Sequence, residues 1–154
     1  MGTKMKIEAL KAHLLAHEGF TPEELAEVTW EEKWGTFAAY GYEYKVFTEE
    51  EADQAAKENI RDSLWAFVPS FILEHTAFYK TSTAAQDDCV IEALRLLQER
   101  LCEDANPIIR ALISNLDEFE QNAIDADGRG HFLAQYDGEE IELDGGKYFA
   151  YRIG

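Results

Sequence analysis

The segment Asp125-Ala126-Asp127-Gly128-Arg129-Gly130-His131-Phe132 gathers the densest mixture of chemically competent side chains in the chain. Asp127, Arg129 and His131 place a carboxylate, a guanidinium and an imidazole within five residues. Such a trio can do acid-base chemistry if the fold turns all three into one concave pocket, which would make a small enzyme of the chain. The same segment imitates an EF-hand calcium loop, with Asp125 and Asp127 at positions one and three, Gly130 at six and Phe132 at eight. The imitation fails at position five, where Arg129 replaces an oxygen ligand, and at position twelve, where Tyr136 replaces a bidentate Glu. A metal reading therefore rests on Asp125 and Asp127 alone. Gly128 and Gly130 equally suit the end of a helix and a turn of the chain.

Other sites are sparser. His13 and His17 stand four residues apart beside Glu18, a spacing that can hold one metal between two imidazoles, but no HExxH pattern or third ligand accompanies them. His75 has no motif around it. Phosphate loops of the GxxxxGK[ST] or GxGxxG kind, a GxSxG elbow and basic clusters are all missing from the sequence. No cofactor is implied. Cys89 and Cys102 fall thirteen apart on one expected helix, roughly 20 Å at 1.5 Å per residue and too far to bridge. Buried, reduced thiols are the expectation, which suits a cytoplasmic protein.

The carboxylates form the remaining constellation. Glu49, Glu50, Glu51 and Asp53 crowd a helix start, and Glu140, Glu142 and Asp144 alternate along one expected strand, sharing a face at about 6 to 7 Å spacing. Glu23, Glu24, Glu27 and Glu31 would make a further group if a helix runs through them. Rows of this kind are spaced like the phosphates of a nucleic-acid strand and could occupy the basic channel of a DNA-binding protein. Acids at helix starts also suit the helix dipole, and strand acids can simply face water.

The elements that must position these groups follow from period and punctuation. Ile7, Leu10, Leu14 and Leu15 predict a helix over Lys4 to His17, closed by Gly19. Thr21-Pro22-Glu23-Glu24 is a capping box opening a short helix, and Thr48-Glu49-Glu50-Glu51 is a second one opening a long helix that Pro69 kinks or splits. The segment from Trp30 to Gly41 is aromatic and irregular and receives no assignment. Tyr42 to Phe47 alternates as a strand. Tyr79 to Asp88 is polar and reads as a loop, the best candidate for mobility. Val90, Leu94, Leu97 and Leu101 mark a further helix. Asn106-Pro107 reads as cap and first residue of another, running to about Ala126. Ile141 to Leu143, the turn Asp144-Gly145-Gly146 and Tyr148 to Ile153 form a hairpin. The expected fold is α+β: a single domain over 1–154, mostly helical, with a small antiparallel sheet built from the strand near 42–47 and the hairpin near 140–153.

Charge decides the class of partner. The chain carries 31 Asp and Glu against 14 Lys and Arg, a formal net charge of -17. That field repels nucleic acid and anionic membrane and draws basic protein surfaces. No run of residues is apolar for long enough to span a bilayer. Two stretches, Tyr44-Lys-Val-Phe-Thr-Glu-Glu-Glu-Ala-Asp53 running on to Phe67, and Ala126-Asp-Gly-Arg-Gly-His-Phe-Leu133 followed by Tyr136-Asp-Gly-Glu-Glu140, together with the terminal Tyr148 to Arg152 strand, resemble small acidic proteins of tailed bacteriophages. The resemblance implies an origin in an infected bacterial cytoplasm and carries no catalytic residue. The expectation is a non-enzymatic phage accessory protein that binds a protein partner with a basic surface through Glu49, Glu50, Glu51, Asp53, Glu140, Glu142 and Asp144. It could act as a DNA-mimic inhibitor of host defence. A small enzyme or metal-binding protein centred on Asp127, Arg129 and His131, or an assembly component, are the alternatives. The sequence does not set the oligomeric state.

Overall fold

The computed structural model describes residues 2–33 and 35–154. Its elements are α1 (Gly2–His17), α2 (Pro22–Leu25), β1 (Thr29–Glu31), β2 (Thr36–Ala39), β3 (Tyr42–Phe47), α3 (Glu49–Asp62), α4 (Pro69–Glu74), α5 (Ala84–Leu101), α6 (Asn106–Leu112), α7 (Leu116–Asp127), α8 (Arg129–Leu133), β4 (Ile141–Leu143) and β5 (Tyr148–Arg152). Short 3-10 turns lie at Leu64–Ala66, Ala77–Lys80, Cys102–Ala105 and Asp144–Gly146. The fold class is α+β, as expected. The backbone contacts group into two compact units: Met1–Ala56 with Asp127–Gly154, and Lys57–Ala126.

The first unit is built on a five-stranded antiparallel sheet in the order β1-β2-β3-β5-β4. The expected strand at 42–47 is its centre, and the C-terminal hairpin forms one side with β4 at the edge. The unassigned segment before them adds β1 and β2, so the sheet has two strands more than the three expected. One face carries Phe37, Ala39, Tyr44, Val46, Leu143, Tyr148 and Ala150, and it packs on Leu10 and Leu14 of α1. Strand alternation sends Phe47, Glu142, Phe149 and Tyr151 to the opposite face. Both capping boxes read from sequence are formed: Thr21 Oγ1 accepts from the Glu24 N–H at 3.2 Å, and Thr48 Oγ1 accepts from the Glu51 N–H at 3.3 Å. In return, Glu24 and Glu51 accept from the N–H groups of Thr21 and Thr48 at 3.0 and 2.9 Å. Gly19, at φ 71, closes α1.

The second unit is helical. The long helix is split, but ahead of the expected place: α3 already stops at Asp62, and Pro69 opens α4 in its first turn. Four further expectations are corrected. The 79–88 loop is helical from Ala84, because Thr83 and Gln86 form a capping box that opens α5. Asn106 is not a cap. Its Oδ1 accepts from the Trp65 N–H at 2.8 Å and its Nδ2 donates to the Arg61 carbonyl at 3.2 Å, tying three segments together. The run from Asn106 to Ala126 breaks at Ile113, whose ψ of 123 ends α6 and lets it bridge to Thr76. Both cysteines are exposed, not buried. Cys89 lies on the outer side of an amphipathic helix whose buried residue is Leu94, and Cys102 caps that helix with φ 49. No helix among the described residues is long and apolar enough to cross a membrane.

Candidate functional site

The site grows from the Gly128-Arg129-Gly130 triplet. Gly128 sits at φ 83, a left-handed conformation that separates α7 from α8 and favours glycine. Gly130 has a different task. A Cβ there would lie 2.5 Å from the Gly138 carbonyl oxygen and 2.8 Å from the Glu140 nitrogen, so only a residue without a side chain lets the 138–140 backbone pack onto α8. That approach brings Glu140 to Arg129.

Arg129 is the centre of the first unit's polar structure. Its side chain is 9% exposed. Nη1 donates to Glu49 Oε1 at 2.9 Å and to Asp53 Oδ1 at 3.0 Å, while Nε donates to Glu140 Oε1 at 2.7 Å. The guanidinium stacks on the Phe149 ring at 4.6 Å, and the Tyr151 hydroxyl donates to the same Glu140 oxygen. Burial alone would lower the guanidinium pKa, but the bond to Glu140, the neighbouring Tyr151 and the bond to Glu49 override it, and the net shift is upward. Tyr151 is pushed up by burial and then by its bond to Glu140. The three carboxylates stay far more open than the group they surround: Glu49 is 61% exposed, Asp53 48% and Glu140 33%. Three carboxylates around one guanidinium leave two formal negative charges facing solvent.

The structure thus brings together Glu49, Asp53 and Glu140 of the acids read from sequence. Glu51 is engaged otherwise, pairing with Lys6 Nζ at 2.9 Å and capping Thr48. Burial would raise its carboxyl pKa, but the Thr48 N–H and the Lys6 ammonium hold it below the ordinary value. Glu50 and Glu142 are exposed, and neither is among the ion pairs of the described residues. The expected strand row is broken: only Glu142 belongs to β4, and Asp144 opens a 3-10 turn at φ 49. That twist carries Asp144 to the α1 side, where it borders Lys4, Met5, Glu8 and Tyr148. The group at Glu23 to Glu31 is likewise divided, since α2 ends at Leu25.

Asp127, Arg129 and His131 do not converge. Arg129 is held by the three acids above, Asp127 is exposed, and His131 is exposed with its ring edge-on to Phe132 at 4.9 Å. Where a calcium loop would run, residues 129–133 form α8, and Asp125 accepts from Gln121 Nε2 at 2.9 Å. No cluster of three or more metal-ligating side chains exists among the described residues. The His13 and His17 rings lie tilted at 36° with centroids 4.9 Å apart, and Glu18 is 4.0 Å from His13.

Sequence reading missed the partners of Arg129 because they lie 76 and 80 residues away in the chain on one side. A signal was present: Arg129 is the one Lys or Arg between Arg110 and Lys147 in a strongly acidic stretch. It also missed two features of the helical unit. Glu120 is 1% exposed in its side chain and lies 2.9 Å from Arg61 Nε, close enough to pair but not aligned as a hydrogen bond, and its Oε2 has no donor. Trp65, Ala66, Phe67, Val68, Pro69, Gln98, Glu99 and Cys102 line an open apolar groove of about 500 Å3. Compared with protein-family models, curated proteins and solved structures, the chain has no match in any of the three.

Proposed function

We propose that this chain is an acidic binding module that engages a basic surface of a nucleic-acid-binding protein, with the carboxylates held on Arg129 as its contact centre. One observation carries the reading: Glu49, Asp53 and Glu140, half exposed and drawn from distant segments, are fixed on one nearly buried guanidinium with two negative charges left over. Flexible surface acids lose side-chain freedom when they bind. These are already ordered, so a basic partner meets a prepared patch. Glu50 flanks that patch on α3, and Glu142 flanks it opposite Phe149. The wider excess of 31 acids over 14 bases speeds encounter with a basic partner. Mimicry of DNA by a phage accessory protein, acting against host defence in the bacterial cytoplasm, is the finer form of this reading. The charge and the resemblance of 44–67 and 126–140 to phage proteins support it.

The test uses Glu50→Lys with Glu142→Lys, which reverse charge without touching the Arg129 bonds. Capture from bacterial lysate at low and high salt, followed by association kinetics, should yield a nucleic-acid-binding protein that is lost at high salt and associates several-fold more slowly with the variant. A partner whose capture and on-rate ignore both salt and charge reversal contradicts the reading.

The groove at Trp65 to Cys102 favours a second reading, an assembly component, because Val68 in its lining is 63% exposed. Sedimentation that shows a monomer at every concentration would remove it.

A further inference from the structure

The end of α1 and the β2–β3 turn meet over a second feature of the first unit, a pocket of about 180 Å3 lined by Glu18, Gly19, Phe20, Glu24, Tyr40 and Tyr42. It is smaller than the roughly 300–1,000 Å3 of sites for drug-sized ligands and suits one side-chain head group. Its chemistry is selective: three aromatic rings and two carboxylates, with no cationic side chain in the lining. Phe20 and Tyr42 meet edge to face at 5.3 Å. Glu24 uses one oxygen on the Thr21 N–H, leaving the other available.

Tyr40 is the unusual member. It is 62% exposed and sits at φ 51, followed by Gly41 at φ 89, in the two-residue turn that joins the Ala39–Tyr42 pair. Such a turn favours Asn-Gly, and left-handed backbone disfavours a residue with a bulky side chain. An exposed aromatic ring held there against local preference points to a contact the ring makes with something else. The neighbourhood already uses the chemistry in question, since the Arg152 guanidinium stacks on Tyr42 at 3.8 Å and on Tyr136 at 3.7 Å. Two pocket carboxylates outweigh that single positive charge. His13, beside Glu18, does not offset it further at neutral pH: burial and then His17 hold its imidazole below the ordinary value, against the pull of Glu18.

We propose that this pocket recognises a protein-borne ammonium head group, a lysine or N-methylated lysine side chain, held by Phe20, Tyr40 and Tyr42 through cation–π contact and by Glu18 and Glu24 through charge. The acidic field of the whole chain draws basic polypeptides and favours that source over a free quaternary amine. The site goes beyond the Arg129 patch. Tyr42 shares the α1 face of the sheet with Tyr44, whereas Arg129 stacks on Phe149 of the other face.

The experiment is an amide NMR titration of the whole chain with a lysine peptide, the same peptide bearing trimethyllysine, and free choline in a separate arm. Saturable shifts at residues 18–24 and 40–42, separate from any at the Arg129 patch, are expected with both peptides. Tyr40→Asn removes the ring but suits the turn, so the fold is retained, and it should weaken peptide binding roughly three- to thirty-fold. Glu24→Gln, which can still close the capping box, should weaken it less. Glu140→Gln should leave these shifts in place, so failure of the Arg129 patch reads separately. Absence of saturable shifts, or shifts unchanged in Tyr40→Asn, overturns the proposal, and binding of choline without the peptides overturns the protein-borne source.

Discussion

At the scale of single residues, Arg129 and Gly130 act as one device. Gly130 admits the 138–140 backbone, and that backbone delivers Glu140 to the guanidinium. Gly130→Ala forces a Cβ into backbone at under 3 Å, and backbone cannot step aside as a flexible side chain can. A loss of about 1–3 kcal/mol is expected, the range of overpacked cores, read as a lowered thermal midpoint. Arg129→Met keeps the stem but removes the charge from three carboxylates. Its cost should fall at about 1–3 kcal/mol, between exposed and buried pairs, because the partners are half open while the arginine is not. Denaturant melts of both variants check this. The buried tyrosines add a pH limit. Tyr44 is pushed up to about 12, by burial first and then by Glu18, and Tyr151 is shifted the same way. A folded pKa above the unfolded one means that stability is complete below the unfolded value of about 10 and is lost as pH rises through the folded value. Tyrosinate absorbance should therefore show these two ionising only as the chain unfolds in alkali. Tyr44→Phe should extend the stable range upward.

At the scale of elements, local signals carried the reading wherever the stabilising contacts are local. β3 spans the expected Tyr42–Phe47 because its alternation matches one buried face, and the boxes at Thr21 and Thr48 bond within three residues of themselves. β1 was not legible: its three residues are all exposed, and it is a strand only because β2 pairs with it. Asn106 misled for the same reason. Asn before Pro reads as a cap, yet its partners Trp65 and Arg61 lie 41 and 45 residues earlier. Asn106→Ala should cost about 1–3 kcal/mol, the penalty for leaving part-buried backbone groups without partners, measured by chemical denaturation. A change under about 0.5 kcal/mol would mean that water replaces the side chain. The candidate site divided along the same line. That acids crowd the start of α3 was readable, but that Arg129 gathers two of them with Glu140 was not, since no pattern of sequence spacing encodes a contact across 76 or 80 residues.

At the scale of the whole molecule, charge is the property that most needs a purpose. Of the acids among the described residues only Glu120 is buried; the rest meet solvent and repel one another. Evenly spread acids would serve solubility alone. The Arg129 cluster argues for arrangement, because it orders carboxylates that would otherwise move freely. The most direct test of that claim is a titration of the isotope-labelled chain with an oligoarginine peptide at two ionic strengths, followed by amide shifts. A prepared patch predicts perturbations concentrated at 49–53 and 139–142, fading steeply as salt shortens the Debye length from about 10 Å at 0.1 M. Shifts scattered over the acids of both units, with no preference for the residues around Arg129, would contradict it.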